Sequence, residues 1–380
     1  MSRDNKQVRG TPRSAAMSLW RTYRRKPGNF LTERIWPWLI HYLRVAFLPR
    51  KPFRTYKNDG SGRPGVFEIP ESCTVGIAGD WGTGTEAAYR VADRMKAHNP
   101  DFTIHLGDVY YSGTAMEFQR YFVNAWPKGR LRTFALNANH EMYSGGEGYF
   151  DIALPALNQE TSYFCLENAH WRILGLDTGY YARSFPFLEL LLSGCIRLHP
   201  AIQGWLKDVV FTNPADRRPV ILLTHHEWFS AFDTEYKRVG SNLASYLDRV
   251  VVWLWAHEHR FAGYGPFSFD GAPKIRARCL GHGGMPIELG RAPKRANRNL
   301  VFYDGRQSGL VDDDRIGYCG FAFLTLTGAE LRLQYLDEMG TKLLEERWVS
   351  QPLSSPTGEV VFASSSLTLV SGRTIEGIIG

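Results

Sequence analysis

The chain has 380 residues, of which 44% are hydrophobic and 22% are charged. This ordinary globular composition excludes a disordered chain, a collagen-like repeat and a coiled coil. No apolar run is long enough to span a bilayer, and no apolar segment typical of a secretory signal follows the polar N-terminus. Five scattered cysteines without a CxxC pair favour a reduced, cytoplasmic protein.

The positive charge of the chain is confined to its N-terminal arm. Residues 1–57 contain 14 Lys and Arg against 2 Asp and Glu, a net charge of +12, whereas the rest of the chain contains 31 and 36, a net charge of −5. The acidic body argues against a nucleic-acid surface. The arm can meet anionic lipid, nucleic acid or an acidic protein.

An aromatic-rich helix is predicted within this arm, over residues 31–48, with Thr32 as its cap. Its Trp36, Trp38 and Phe47 either pack on the main domain or lie in the interface of an anionic membrane, which would make the protein peripheral to that membrane. Three parts are expected. They are a basic arm with this helix and a Gly-rich linker over 1–70, a main domain over 71–349 and a C-terminal tail over 350–380.

Strands and helices alternate along the main domain. In chain order we predict a strand over 74–80, a helix over 83–98, a strand over 101–108, a helix over 114–126, a strand over 131–136, a β-hairpin over 162–177, buried strands over 219–224 and 250–255, and a β-rich stretch over 320–348. The apolar run 185–192 fits a lid, a substrate wall or a buried helix equally well.

Polar side chains stand at the ends of five of these strands. They are Asp80, Asp108, Asn139, His225, His257 and His259. Because the carboxyl ends of strands in an open α/β sheet converge on one crevice, these residues can meet although they span about 180 positions. Carboxylate, amide oxygen and imidazole are the ligands of Mn, Fe and Zn, so the sequence predicts a metal site.

In this order the motifs resemble those of the calcineurin-like metallophosphoesterases, which read D-x-[HG], G-D-x-x, G-N-H-[DE], H and G-H-x-H. The resemblance extends over residues 72–285, and Ala138 and Ala256 replace two of the family's glycines. It implies an α/β (α+β four-layer) fold, in which two packed β-sheets flanked by helices form a metallophosphoesterase-like sandwich. It also makes 71–349 a catalytic domain.

Two positions resemble the purple acid phosphatase subgroup. Gly82 stands where many superfamily members have histidine, and Tyr111 stands three residues after Asp108. In that subgroup the tyrosine binds iron(III) as a phenolate. A phenolate adds a third negative charge to those of two aspartates, which favours a trivalent cation beside a divalent one. We prefer Tyr111 to Tyr110 as the ligand; the alternative is that both rings stack or line the substrate site.

Carried onto this sequence, the resemblance implies two metal ions that share one carboxylate. Asp80, Asp108, Tyr111 and His259 would hold the first metal, and Asp108, Asn139, His225 and His257 the second. His225 is preferred to His226 because it occupies the family's V-x-x-H position, here as L-L-T-H. The expected metals are Fe with Mn, Zn or a second Fe, and two divalent cations are the alternative.

The implied activity is hydrolysis of phosphoester bonds, in which a metal-bound hydroxide attacks phosphorus. His140 would protonate the leaving oxygen or stabilise charge as an imidazolium, with Glu141 as its partner. His226 and His282 are further catalytic candidates, although the Gly-rich sequence around His282 also fits a plain tight turn.

The expected substrate is a small phosphorylated molecule, first of all a phosphomonoester. A phosphodiesterase or phosphoanhydride hydrolase acting on nucleotide or lipid-linked substrates is the alternative among enzymes. A non-catalytic scaffold with a metallophosphoesterase-like fold is the alternative outside them, although scaffolds of this kind should have lost ligands that this sequence retains.

Overall fold

Two β-sheets pack face to face and carry helices on their outer faces. The structure is a computed structural model that describes residues 50–57, 60, 62–182, 195–267, 275–287, 289, 293, 299–308, 316–350 and 361–367. The arrangement is the four-layer α/β sandwich that was expected from the sequence motifs, and the predicted fold class is confirmed.

The strands are short, as is usual for a protein of this class. They are β1 (Val66–Glu68), β2 (Ser72–Ala78), β3 (Phe102–His105), β4 (Arg132–Ala135), β5 (Phe164–Glu167), β6 (Arg172–Gly175), β7 (Val220–Leu223), β8 (Val250–Trp255), β9 (Phe261–Phe267), β10 (Ile275–Leu280), β11 (Leu300–Tyr303), β12 (Gly320–Thr327), β13 (Glu330–Asp337), β14 (Lys342–Val349) and β15 (Val361–Leu367).

Several of the helices change their pitch along their length. The helices are α1 (Glu86–Ala97), α2 (Ala115–Glu117, continuing as a π-helix over Phe118–Val123), α3 (Asn139–Met142), α4 (a π-helix over Gly148–Ala153, continuing as an α-helix over Leu154–Ala156), α5 (Pro200–Trp205, continuing as a π-helix over Leu206–Val210) and α6 (Lys237–Leu243, continuing as a 3₁₀-helix over Ala244–Arg249).

The order of the strands places the ends of the central ones at a common edge. Sheet I has the order β1-β5-β6-β7-β8-β10-β9-β11, and sheet II has the order β15-β14-β13-β12-β2-β3-β4. Strands β2, β3 and β4 run parallel in sheet II, and β6, β7 and β8 run parallel in sheet I. The carboxyl ends within each set therefore lie together.

The central strands are rich in apolar residues because the other sheet covers one of their faces and helices cover the other. All four residues of β3 and all four of β7 are buried. Between the sheets, Val75 and Ile104 of sheet II share one core with Ile221 and Leu254 of sheet I. Helix α1 covers the outer face of sheet II with its buried apolar residues, as the helical spacing predicted.

The end of the N-terminal arm packs on the main domain. The guanidinium of Arg50 donates to the carbonyl of Tyr180 at 2.7 Å, and the ring of Phe53 stacks on His199 with centroids 3.9 Å apart. Within the tail, β15 pairs with β14 at the edge of sheet II. The predicted helix over 31–48, its membrane contact and the apolar run 185–192 lie outside the described residues and stay predictions. Among the residues described, no helix is both long and apolar enough to cross a bilayer.

A buried ion pair joins the two sheets. Arg278 on β10 donates to both carboxylate oxygens of Glu346 on β14, at 3.0 and 2.5 Å, and the Tyr335 hydroxyl donates to the same carboxylate at 2.9 Å. Removing one partner of a buried pair leaves an uncompensated charge, at a cost of about 3–5 kcal/mol. We expect Glu346→Gln to lower the free energy of unfolding by that amount, measured by urea denaturation.

The matched control for this prediction is Asp248→Asn. Asp248 pairs with Arg217 at 2.6 Å, but both side chains are exposed. An exposed pair of this kind contributes about 0–1 kcal/mol. Equal losses in the free energy of unfolding would show that the pair between the sheets stabilises the fold no more than the exposed pair does.

Candidate metal centre

The candidate site lies where the carboxyl edges of the two sheets meet. Sheet II supplies Asp80, Asp108 and Asn139 after β2, β3 and β4. Sheet I supplies His225 after β7 and the pair His257 and His259 after β8. A cleft of about 310 Å³ opens at this point, lined by Asp108, Asn139, His140, Asp233, His257, Glu258, His259, Arg260, Met285 and Pro286. The structure thus brings the predicted strand-end residues together.

Three residues lie at the centre of the site. Ligand atoms of Asp80, Asp108 and His225 all lie within 4.8 Å of one another. His225 Nε2 is 3.4 Å from Asp108 Oδ2 and 3.1 Å from Asn139 Oδ1. The Nδ1–H of His225 donates to the carbonyl of Leu106 at 3.0 Å, which turns Nε2 towards the carboxylates.

Asn139 is oriented by its neighbour on α3. Its amide nitrogen donates to the hydroxyl of Tyr143 at 3.1 Å, so that its Oδ1 faces His225. Oxygen is the only atom of this side chain that can ligate a cation. The orientation therefore suits the role predicted for Asn139.

The backbone is strained at three of the predicted ligands. Asp80, Asp108 and His257 have φ angles of 55°, 72° and 67°, a region that residues other than glycine avoid. Such a conformation costs about 1–3 kcal/mol for each residue and persists only where the surroundings impose it. Here the N–H of Asp80 donates to the carbonyl of Gly107 at 3.0 Å, and the N–H of His257 donates to Asp80 Oδ2 at 2.8 Å.

The tyrosine whose hydroxyl lies at the carboxylates is Tyr110, whereas the sequence analysis preferred Tyr111 as the ligand. The Tyr110 hydroxyl lies 2.5 Å from Asp80 Oδ1, 3.1 Å from Asp108 Oδ2 and 2.9 Å from His259 Nε2. The ring of Tyr111 instead packs on the apolar cluster beneath α1 and α2. Burial and the two carboxylates raise the pKa of Tyr110 well above its usual value.

Gly82 has a steric reason to lack a side chain. Gly82 pairs with Val109 in an isolated β-bridge, and a Cβ on Gly82 would lie 2.9 Å from the Cα of Val109. A histidine cannot stand there unless the backbone moves. The hydroxyl of Tyr110, which immediately follows Val109, occupies the neighbourhood of Asp80 instead.

His140 reaches the cleft, but Glu141 is not its partner. His140 Nδ1–H donates to the carbonyl of Tyr111 at 2.5 Å, and its Nε2 lies 3.8 Å from Asp108 Oδ2. The carboxylate of Glu141 accepts the backbone N–H groups of Asp108 and Val109 at 3.2 and 3.1 Å. Glu141 therefore holds the loop that carries Asp108, and the predicted contact with His140 is wrong.

Two further predicted residues are buried close to the site. His226 is fully buried, and its Nδ1 lies 3.0 Å from the hydroxyl of Thr178. His282 stacks on Phe261 between the sheets, at 5.2 Å, and its carbonyl accepts the N–H of Gly320 at 2.8 Å. Ring nitrogens of His225, His226 and His257 lie within 4.8 Å of one another, so His226 borders the position proposed for the second cation. His282 does not line the cleft. The catalytic roles of His226 and His282 stay predictions.

In the absence of a cation, the pKa values of His225 and Asp108 favour a protonated imidazole beside an ionised carboxylate. Burial alone would lower the pKa of His225, but the carboxylate of Asp108 outweighs burial and raises the pKa to about 9. Burial would raise the pKa of Asp108, yet His225 and His140 hold it well below its usual value. A cation must displace the proton of His225, because only neutral imidazole can be a ligand.

The residues present fit a pair of cations. The site combines two buried carboxylates, an amide oxygen and three imidazoles, which suits Mn, Fe or Zn. The Nδ1 of His257 is buried and has no hydrogen-bond partner among the residues described. Burial and the charge of His225 lower the pKa of His257 to about 4, so that this ring is neutral.

Sequence reasoning missed the residues that the loops bring to the site. Asp233 and Arg260 line the cleft, and the Arg260 guanidinium lies 3.7 Å above the ring of Phe232. Arg260 directly follows the last motif, and this position was the available signal. Asp233 lies in the loop after β7, where no pattern in the sequence marks it.

Comparison with known proteins agrees with the geometry. A family model described as calcineurin-like phosphoesterase matches residues 73–261. No curated protein sequence matches the chain. A purple acid phosphatase from yellow lupin (Lupinus luteus) seeds is 15% identical and has a TM-score of 0.51, over 72% of this chain and 53% of that chain. A structure of PhoD is 15% identical and has a TM-score of 0.46, over 82% of this chain and 74% of that chain.

The likeness to the lupin enzyme is one of fold, and the matched part spans about half of that enzyme's length. The family match is more specific to the site, because residues 73–261 include every strand-end residue from Asp80 to His259. Residues 73–261 of this chain therefore form a calcineurin-like phosphoesterase domain.

Proposed function

We propose that this protein is a hydrolase of phosphomonoesters that works with two metal ions. The observation that carries the proposal is the convergence of two carboxylates, an amide oxygen and three imidazoles beside one cleft of a phosphoesterase domain. Asp80, Asp108, Tyr110 and His259 would hold the first cation, and Asp108, Asn139, His225 and His257 the second. The metals would be Fe with Mn, Zn or a second Fe.

When bound, such a pair of cations withdraws charge from the phosphoryl oxygens and lowers the pKa of the attacking water. The residues of this chain do the rest. Asp108 balances positive charge on both sides of the site. His140 has its Nδ1–H fixed on the carbonyl of Tyr111, so its Nε2 faces the cleft, where it would give a proton to the leaving oxygen.

Substrate choice is tested with two chromogenic compounds. Purified protein loaded with Mn, Fe or Zn is assayed on p-nitrophenyl phosphate and on bis(p-nitrophenyl) phosphate, with inorganic pyrophosphate as a third substrate. The proposal expects turnover of the monoester that a chelator abolishes. Preference for the diester or for pyrophosphate would favour the alternative enzymes, and a protein that turns over none of them would fit a scaffold.

The ionisation state of Tyr110 indicates whether the first cation is iron(III). Phenol has a pKa of about 10, and the surroundings of Tyr110 raise it further, so only a strongly acidic cation keeps this side chain ionised at neutral pH. We expect iron-loaded protein, prepared in air, to show a charge-transfer band in the visible spectrum. Tyr110→Phe should lose the band and Tyr111→Phe should keep it.

The matched pair of variants also shows whether Tyr110 or Tyr111 is the ligand of the first cation. Loss of the band in Tyr111→Phe alone would restore the original preference for Tyr111. A colourless iron-loaded protein with full phosphatase activity would leave two divalent cations as the answer.

A further inference from the structure

We propose that Tyr236 is a positioning residue for the second cation and acts through His257. It would hold the ring of His257 with Nδ1 turned towards that cation. The inference rests on the proposed function only in that it needs a second cation bound at His257.

Tyr236 reaches the site from a different part of the chain. It ends the loop after β7 and directly precedes α6, and it is 3% exposed. Its hydroxyl lies 3.0 Å from His257 Nε2. The ring of Tyr236 also packs edge to face on His257 and on His226, with centroids 5.6 and 5.0 Å apart. These contacts leave the His257 ring little freedom to turn.

The hydrogen bond to Tyr236 engages Nε2 of His257 and leaves Nδ1 as the other ring nitrogen. A neutral imidazole carries one N–H, and the nitrogen without it offers the lone pair. When Nε2–H donates to the Tyr236 oxygen, the lone pair is on Nδ1. That atom is buried and has no hydrogen-bond partner among the described residues. Its lone pair is therefore available to a cation.

The backbone of His257 is fixed at the same time. Its N–H donates to Asp80 Oδ2 at 2.8 Å, and its φ of 67° is a conformation that persists only where the surroundings impose it. His225 has an equivalent anchor, since its Nδ1–H donates to the carbonyl of Leu106. The ring of His225 is thus oriented by a backbone carbonyl, and the ring of His257 is oriented by the hydroxyl of Tyr236. Unlike the carbonyl, the hydroxyl can be removed by mutation.

The test is Tyr236→Phe, which removes the hydroxyl and keeps the buried ring. Loss of a partner that orients a ligating histidine typically costs about 10- to 100-fold in metal affinity. We expect this loss for the second Mn²⁺ and no change for the first, measured by equilibrium titration of the full chain. The electron paramagnetic resonance spectrum should change from that of a coupled Mn pair to that of isolated Mn at the same concentration.

The control is Tyr246→Phe, because Tyr246 stacks on Phe211 and does not line the cleft. Its two Mn²⁺ affinities should match those of the wild type. A purely structural role of Tyr236 would instead lower the stability of the cation-free protein and weaken both sites together. In a His257→Ala background, Tyr236→Phe should have no further effect on the second site.

The outcomes separate this inference from the proposed function. Wild type that binds two Mn²⁺ but hydrolyses no phosphoester would refute the function and leave the role of Tyr236 standing. If Tyr236→Phe binds each of the two Mn²⁺ ions as tightly as the wild type does, the role of Tyr236 is refuted and the proposed function is not affected. Wild type with no second Mn²⁺ would overturn both.

Discussion

Asp108→Asn is expected to release at least one cation and to lower kcat/KM by several orders of magnitude. Asp108 Oδ1 accepts the N–H of His140, while Oδ2 accepts the Tyr110 hydroxyl and faces His225 at 3.4 Å. The carboxylate thus lies between the two proposed cation positions. Asparagine retains an oxygen, but a neutral amide cannot balance two positive ions. Elemental analysis of the purified variant and its rate on p-nitrophenyl phosphate measure both effects.

Asp151→Asn is the control for this change of charge. Asp151 forms a surface pair with Arg54 at 3.2 Å and is not part of the cleft lining. Its removal should leave cation content and rate as they are. If Asp108→Asn retained both cations and its activity, Asp108 could not be the shared ligand.

His140→Ala is expected to retain both cations while kcat falls by about 10²- to 10⁴-fold, the usual contribution of general acid–base catalysis. Its Nδ1–H is held by the carbonyl of Tyr111, and its Nε2 lies 3.8 Å from Asp108 Oδ2 at the cleft, where it would give a proton. A proton matters most for a poor leaving group. The loss should therefore be large for alkyl phosphates and small for p-nitrophenyl phosphate.

The dependence on the leaving group is the decisive readout. Equal losses for both kinds of substrate would contradict the role of general acid and favour stabilisation of charge. Loss of a cation in His140→Ala would instead make His140 a ligand. His170→Ala is the control, because His170 lies at the surface beside Glu71, at 3.5 Å.

The residue types at the strand ends made most of this site predictable. All four residues of β3 are buried and the strand is followed by Asp108, and the apolar strand β8 is followed by His257. Apolar runs of this kind are buried on both faces, so polar residues at their ends must lie at the edge of a sheet. The hairpin of β5 and β6 was also predicted correctly, with Asn168 accepting two backbone N–H groups at its turn.

The errors arose where spacing along the chain does not determine direction. Tyr110 and Tyr111 are adjacent, and only the path of the backbone after Asp108 decides which ring meets the carboxylates. Glu141 follows His140, yet its carboxylate points to the backbone of another loop. Tyr236 is brought to His257 by the packing of α6 on sheet I, which no local pattern records.

The division of the ligands between the sheets has a mechanical consequence. Asp80, Asp108 and Asn139 belong to one sheet, whereas His225, His257 and His259 belong to the other. A cation held by both groups is a noncovalent cross-link across the seam, in a chain whose five cysteines form no disulfide. An ion that binds only the folded chain stabilises it by about 2.7 kcal/mol at a concentration of 100 Kd. The supply of metal would thus govern how long the folded protein lasts as well as how fast it works.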